Sequence, residues 1–578
     1  MRTVFPHGDV DAFEAARAEL AERFGGAAEP LDCLLEDRFA RDGLLAWWTE
    51  EDLERFLLEV APRRLVVADW SAVPEFLHSW VDFLAGEGLL SSPSPVGALH
   101  RAIDRAVPGF LAAMADPASW GPEKSWSAAM RECGVDPADD ARVAEFLAAV
   151  DEGAVEVDEE GAAEQADDAP AVWLPPVAVA EEEPHAATAA DCPLLHRIRA
   201  VLDWVGEGRP VPRESDVDGL AARLSVDRFT AGLLVEWARE AHLLRRVHDR
   251  LVPTLLARPL SAEPDLLWSR LWQSFVLLDG FTDDGELDSE DFVEVVQAVL
   301  CALYPHADAV PLELVTDLAC RVLDGTSRQA VHRAVTRIVD QWESMGALRR
   351  YETTAPDVLA EIAELVPADP DPTMVELLSA GVWAARGSLR AFGFLVPEVA
   401  DLVPRPAELL ALLVPECSPD VLAELVPAWI AHRGAPDAAA ELAALLRRVD
   451  DPSLRLTALW LLERTGDDGV AAVRGLADDP VVGPAARVWL QARGASDDVA
   501  RPEDEVWVAL DGLAASDAPH LLLAELRRHS AAEQLDLLER VPTAGHAQAP
   551  EVLDTIARHH PDAEIAAAAR RCLERVGC

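Results

Sequence analysis

Five arginines, Arg228, Arg239, Arg245, Arg246 and Arg250, are the residues of this chain best suited to recognise another molecule. A guanidinium is always charged, and its rigid fork of donors matches carboxylates, phosphates and base edges. Arg245, Arg246 and Arg250 fall in LLRRVHDRLVPT, which reads as two short extended segments around His248-Asp249-Arg250. Arg228 and Arg239 fall on the helical stretch DRFTAGLLVEWAREAHLL just before it. Residues 193–258 hold 11 arginines against 9 carboxylates, a balance of +2 in a chain of formal charge −53. A DNA-reading helix with an arginine wing has this composition, and so does a module that grips an acidic protein surface. The competing reading is a solvated structural face.

Other chemistries fail on spacing. The loop DGFTDDGELDSED at 279–291 resembles a calcium loop, but placing Gly285 at position six puts Gly280 at position one. The first carboxylate ligand is then missing, so an acidic turn is expected, with Asp288 or Ser289 capping the next helix. His559-His560 stand before Pro561 at a helix end, where a cation favours the dipole. A metal would need further convergent ligands, and His546 is the nearest histidine in sequence. The eight cysteines include no CxxC pair and read as small reduced hydrophobes. Lys124 is the only lysine, so no Gly-Lys-Ser/Thr phosphate loop exists, and any Schiff base would have to use it. HExxH and GxSxG are also missing from the sequence. The expectation is a chain with no catalytic residue, no metal and no cofactor, and no small-molecule substrate is evident.

The elements that position the arginines are helical. In residues 1–150, DVDAFEAARAELAERF carries helical apolar spacing after Asp9 or Asp11, and Thr49 with Asp52 forms a near capping box. VPEFLHSWVDFLAGEGLL puts Phe76, Leu77, Trp80, Phe83 and Leu84 on one face and stops at Gly86. Residues 151–191 carry 13 carboxylates and no Lys or Arg, the composition of a disordered acidic linker. The island AVWLPPVAV at 171–179 reads as a docking segment onto the protein's own body or onto a partner. Residues 192–285 give three helices and a small hairpin, the order of a winged helix. The order recurs over 286–385, where a helix, Leu-Arg-Arg and a Thr-containing turn repeat. Residues 386–578 read as helix pairs. DPSLRLTALWLLERTG, DDGVAAVRGLA and DDPVVGPAARVWLQARG follow the grammar of HEAT-like repeats, with Asp451-Pro452 and Asp479-Pro480 each opening a helix. The expected fold is mainly all-α, a multi-domain helical protein with winged-helix-like units and a HEAT-like α-solenoid at the C-terminus.

The stretches LDWVGEGRP at 202–210, WAREAHLLRRVHDRLVPT at 237–254, ELLSAGVWAARGSLRAFGFLVPEVADL at 376–402 and PAARVWLQARG at 484–494 resemble a group of uncharacterised actinobacterial proteins. In that group a tryptophan-valine-glycine module precedes a helical C-terminal half. TEEDLERFLLEVAPRRLVVAD and VWLPPV are similar too, so the resemblance covers most of the chain in patches. The group's Leu-Thr-x-x-Gly turn after the tryptophan module is VPRESD here, and Leu-Ser-Ala-Gly at 378–381 replaces its Leu-Thr-Pro-Leu-Gly. The resemblance implies architecture and no particular activity.

Helical repeats, no catalytic motif and heavy surface charge point to a non-enzymatic scaffold or adaptor with a protein partner. The alternative is a nucleic-acid-linked regulator using the arginine module. A third reading is an enzyme built on a helical-repeat scaffold. The charge of −53 disfavours bulk affinity for phosphate backbones. No apolar run spans a membrane and no apolar leader opens the chain, so a cytoplasmic location is expected.

Overall fold

In a computed structural model, residues 2–6, 9–25, 29–66, 70–135, 140–151, 172–178, 192–212, 214–278, 287–306, 309–323, 326–365, 371–495, 500–516 and 518–576 are described. Most of the acidic stretch, 152–171 and 179–191, and the first part of the calcium-loop-like segment, 279–286, lie outside these residues. The protein is mainly helical with two small antiparallel three-stranded sheets. It forms two compact units: Met1–Trp173, Val399–Pro415 and Leu422–Cys578 make unit 1, and Leu174–Glu398 with Glu416–Val421 make unit 2. Among the described residues, no helix is long and apolar enough to cross a membrane.

In unit 1 the local signals of the sequence act as expected. Thr49 Oγ1 accepts from Asp52 N at 3.1 Å and Asp52 Oδ2 accepts from Thr49 N at 2.9 Å, a complete capping box for the helix Glu50–Arg55. The helix Val73–Gly86 buries Leu77, Trp80 and Leu84 among Phe56, Ile103 and Phe110. Phe76 and Phe83 pack against the rim of that core. Asp451 Oδ1 accepts from Ser453 N and Leu454 N, at 2.8 and 3.3 Å, and starts the helix Pro452–Arg464. Asp479-Pro480 behaves differently from the expectation. Asp479 Oδ1 accepts from Val481 N and Val482 N, at 2.9 and 3.1 Å, and closes a turn. The next helix, Gly483–Ala492, begins only with Pro484 in its first turn. Proline suits a first turn because its N–H is not needed there, and here Pro484, not Pro480, fills that role.

Two buried polar clusters hold distant parts of unit 1 together. Glu408 is fully buried; its Oε1 accepts from Thr3 N at 2.8 Å and Val4 N at 3.1 Å, and its Oε2 from Thr3 Oγ1 and Arg448 Nη2, both at 2.8 Å. In the second cluster Asp511 accepts from Arg455 Nε at 3.2 Å, from Arg455 Nη2 and from His546 Nε2 at 3.2 Å. His546 Nδ1 accepts from Gln548 N at 3.2 Å, which leaves Nε2 as the protonated nitrogen of a neutral ring. His546 therefore sits in a buried network rather than beside His559-His560. His560 Nδ1 instead accepts from Asp562 N at 3.1 Å in the turn after the helix Ala549–His559.

Lys124 is also buried, with Nζ donating to Pro62 O at 2.9 Å and lying 5.0 Å from the centroid of the Trp120 ring. Burial lowers its ammonium from the usual range to about 8. A lysine whose folded value is depressed penalises folding while it is protonated, and the penalty fades as pH rises from about 8 towards the unfolded value near 10.4. Lys124→Met is expected to raise stability at pH 7 by about 1–2 kcal/mol. It should also flatten the gain in stability between pH 8 and 10, with both effects read from urea titrations at each pH. A destabilised variant with an unchanged pH profile would contradict this reading.

Unit 2 contains the same order of elements twice. The first set is the helix Pro193–Val205, β1 (Arg209–Pro210), the helices Glu214–Leu224 and Arg228–Glu240, β2 (Leu244–Val247) and β3 (Arg250–Pro253). The second set is the helix Ser289–Leu303, β4 (Val310–Pro311), the helices Leu312–Val322 and Arg328–Ser344, β5 (Leu348–Glu352) and β6 (Thr373–Leu377). It differs by a helix, Pro356–Leu365, inserted between β5 and β6. The sheets run β1-β3-β2 and β4-β6-β5, all antiparallel, so each Leu-Arg-Arg strand lies at an edge. Both third helices are capped through a side chain, by Asp227 and by Ser327. Each then turns into its strand through a left-handed residue, His242 at φ 59° and Gly346 at φ 69°. Asp288 caps the helix Ser289–Leu303 in a full capping box with Asp291. In the described island, the Leu174 N–H donates to Leu395 O at 2.9 Å.

Candidate functional site

Of the five arginines, three meet on one hairpin. Arg245 and Arg246 lie on β2 and Arg250 opens β3, and all three are exposed. The register pairs Arg245 with Val252, Arg246 with Leu251 and Val247 with Arg250. Side chains alternate along a strand, so Arg245, Val247 and Arg250 share one face, and Arg246 lies on the face of the buried Leu244 and Leu251. Arg246 Nε donates to His248 O at 3.0 Å, and Arg250 Nη2 donates to Gly208 O at 2.6 Å. These bonds hold two guanidiniums at the hairpin tip and use a minority of their donors. His248 takes the left-handed region at φ 54° to close the two-residue loop, and Asp249 O accepts from Val211 N at 2.7 Å.

Arg228 and Arg239 sit at opposite ends of their helix, about 16 Å apart along its axis. Arg228 lies 3.6 Å from Asp218 and Arg239 lies 4.0 Å from Glu240, so each has a carboxylate at hand. The structure therefore gathers Arg245, Arg246 and Arg250 on one hairpin and places Arg228 and Arg239 at the two ends of the preceding helix.

The second set of elements supplies an internal control. Arg349 faces Glu376 across β5 and β6 and pairs with it at 2.7 Å. Arg350 pairs with Asp340 at 2.6 Å and Glu343 at 2.8 Å on the preceding helix. In the first set the residue facing Arg245 is Val252, and the counterpart of Glu343, six residues before the first strand arginine, is Arg239. Two of three neutralising carboxylates have been replaced by an aliphatic residue and a base; the third, Asp340, has Glu236 as its counterpart. Among the described residues, Arg245, Arg246 and Arg250 form no ion pair. Exposed aliphatic side chains accompany them: Val247 on the hairpin, and Leu255 and Leu256 just beyond its base, with Leu255 96 % exposed.

A second feature of unit 2 was not legible from the sequence. A cavity of about 510 Å³ is lined by Ser269, Trp272, Gln273 and Val276 from one segment and by residues of the helix Ser379–Ala391 from another. The first four follow the i, i+3, i+4, i+7 spacing of a single helical face. The facing wall comes from within 376–402. Trp272 Nε1 donates to Ser388 Oγ at 2.9 Å, and its ring is backed by Trp268 and Trp342, with centroids 5.6 and 4.9 Å away. Arg386 Nη1 and Arg390 Nη2 both reach Glu398, at 3.0 and 3.4 Å. Arg386 also lies against the buried Tyr304 phenol, whose ionisation burial pushes up. Amphipathic spacing at 269–276 was the available signal, but its partners lie more than a hundred residues on.

The remaining constellations are small. His78 and His100 stack with ring centroids 4.6 Å apart, their Nε2 atoms on Asp104 and Asp82 at 3.1 and 2.9 Å. Among the described residues, no group of three or more His, Cys, Asp or Glu is placed to hold a metal ion. Comparison with protein-family models, with curated proteins and with solved structures finds no match to this chain.

Proposed function

We propose that the protein is a non-enzymatic adaptor whose first hairpin grips an acidic, partly apolar segment of a protein partner. The reading treats the two sets of elements in unit 2 as winged-helix-like units with β2–β3 and β5–β6 as their wings. The helices of residues 386–578 are treated as a HEAT-like array, and the whole as a cytoplasmic relative of the actinobacterial group it resembles. The observation that carries the reading is the contrast between the wings: Arg349 and Arg350 are neutralised internally, while Arg245, Arg246 and Arg250 are exposed and form no ion pair among the described residues. In a chain of charge −53, three exposed guanidiniums on one hairpin make a local basic patch, which complements an acidic surface and steers it into contact. The neighbouring Val247, Leu255 and Leu256 favour protein over nucleic acid, because DNA-binding surfaces are polar and strongly basic.

Nucleic-acid contact is the second reading, favoured by the position of the hairpin beside a helix with Arg228 and Arg239. The carboxylates near those two arginines weigh against it. Replacing Arg245, Arg246 and Arg250 together by glutamine is expected to weaken partner retention at least about tenfold and to remove most of its salt dependence. Circular dichroism should be unchanged, since none of the three is buried. A mobility-shift titration with duplex DNA at two salt concentrations separates the readings. A shift at low salt that the triple variant abolishes would favour nucleic acid.

A further inference from the structure

We infer that His78 and His100, supported by Asp82 and Asp104, form a binding site in unit 1 for one divalent transition-metal ion of the Zn²⁺ class. The helix Val73–Gly86 carries His78 and Asp82, and the helix Val96–Ala115 carries His100 and Asp104. In each helix the histidine and the aspartate are four residues apart and so stand on one face. The two helices pack together over the buried Leu77, Val81, Leu99 and Ile103, which fixes the spacing of the four side chains. Each carboxylate serves the histidine of the opposite helix. Asp82 Oδ1 accepts from His100 Nε2 at 2.9 Å, and Asp104 Oδ1 from His78 Nε2 at 3.1 Å.

The tautomers follow from those bonds. A carboxylate only accepts, so each Nε2 carries a hydrogen, and in a neutral ring the lone pair is then on Nδ1. The two Nδ1 atoms lie in hydrogen-bond contact with each other. Two lone pairs brought together in this way need a cation between them, either a proton or a metal. The charge of the site favours the metal. Two neutral imidazoles and two carboxylates carry two negative charges; a proton balances one of them and a divalent ion both. Each ring also has the support that metal-ligating histidines use, a remote N–H held by a carboxylate, which fixes the tautomer and strengthens the ligand.

Ligand type and exposure set the class of ion. Imidazole nitrogen suits Zn²⁺, Cu²⁺ and Ni²⁺, whereas Mg²⁺ and Ca²⁺ take oxygen ligands. A tetrahedral ion about 2.0–2.1 Å from each nitrogen places the two Nδ1 atoms roughly 3.3 Å apart, so the rings part slightly on binding. The histidine side chains are 27 % and 24 % exposed, which leaves room for that rotation and for water to complete the coordination. Two protein nitrogens carry the ion, so the site stands without a convergent group of three ligands among the described residues.

The test uses the full-length, tag-free protein, stripped with a chelator and titrated with ZnCl2 by calorimetry. Wild type is expected to bind one Zn²⁺ per chain with a dissociation constant of about 10 μM, and MgCl2 to give no such site. His78→Asn and His100→Asn should each weaken zinc binding at least about tenfold. Asp82→Asn/Asp104→Asn keeps both rings and removes only their carboxylates, and should weaken binding about tenfold. Zinc should raise the melting temperature of wild type and leave that of either histidine variant unchanged. With Cu²⁺ in place of zinc, electron paramagnetic resonance should show two nitrogen ligands in wild type and one in each histidine variant. Failure of wild type to bind zinc more tightly than millimolar overturns the proposal and leaves a shared proton as the whole account of the contact. Zinc affinity undiminished in both histidine variants overturns it too, because the ion would then sit elsewhere.

Discussion

Glu408→Ala is expected to destabilise unit 1 by about 3–5 kcal/mol, a large fraction of the stability of an ordinary domain. The carboxylate is fully buried and serves four donors at once. Removing it takes from the Arg448 guanidinium, itself only 22 % exposed, the buried carboxylate it reaches at 2.8 Å. It also orphans Thr3 N, Thr3 Oγ1 and Val4 N, and a buried donor left unpaired costs about 1–3 kcal/mol. The damage should spread along the N-terminal segment, because Leu45 N donates to Thr3 O and Phe5 N to Gly43 O, each at 3.0 Å. Those amides should lose protection from hydrogen exchange first. Thr3→Val removes only the hydroxyl bond and should cost about 1 kcal/mol, which grades the effect. A urea midpoint for Glu408→Ala within experimental error of wild type would refute the clamp.

Asp511→Ala is expected to cost about as much, again about 3–5 kcal/mol. Arg455 is 3 % exposed and Asp511 1 %, so the pair is dry. Without Asp511, Arg455 keeps, among the described residues, only its bond to Val449 O at 3.1 Å and its place over the Trp507 ring, 5.5 Å from the centroid. His546 Nε2 also loses its acceptor. The physical cause is an uncompensated buried charge, not the loss of an attractive contact, and the two can be separated. Arg455→Met/Asp511→Leu removes both charges and should recover more than half of the loss, since apolar replacement of a buried ion pair is often neutral or better. A double variant as unstable as Asp511→Ala would show that the pair stabilises by its own attraction.

The parts of this protein that could be read in the sequence are the local ones. Thr49 with Asp52, Asp451 with Pro452, and Asp288 each declare a helix start within four residues, and each does so in the structure. Asp479-Pro480 carries the same letters but closes a turn, because Pro484 follows close behind and fits a first turn better. The hairpin β2–β3 was legible because only two residues separate its strands. β6 was not, since a helix intervenes between it and β5. β1 and β4 are two residues long and end in proline, too short for any alternation to register. The clamp of Thr3 by Glu408 spans 405 positions, and the Arg455–Asp511 pair spans 56. Neither has a spacing rule, because burial of a charge depends on which helices meet. The arginines of the first hairpin were visible as a local surplus of charge. What made them a candidate site was the neutralisation of their counterparts: Arg349 by Glu376, which the register of β5 and β6 brings opposite it, and Arg350 by Asp340 and Glu343 on the preceding helix.

The adaptor reading rests on one surface, and one measurement addresses it. A photo-reactive amino acid is placed at Leu255, 96 % exposed beside the first hairpin, and in a separate protein at Tyr351, 49 % exposed on the edge strand of the second. Both are irradiated in the cells that express the chain, and the cross-linked proteins are identified. The account predicts a discrete protein adduct at Leu255 that disappears when Arg245, Arg246 and Arg250 are changed to glutamine, with none at Tyr351. Equal adducts at both positions, or an adduct at Leu255 that survives loss of the three arginines, would contradict it.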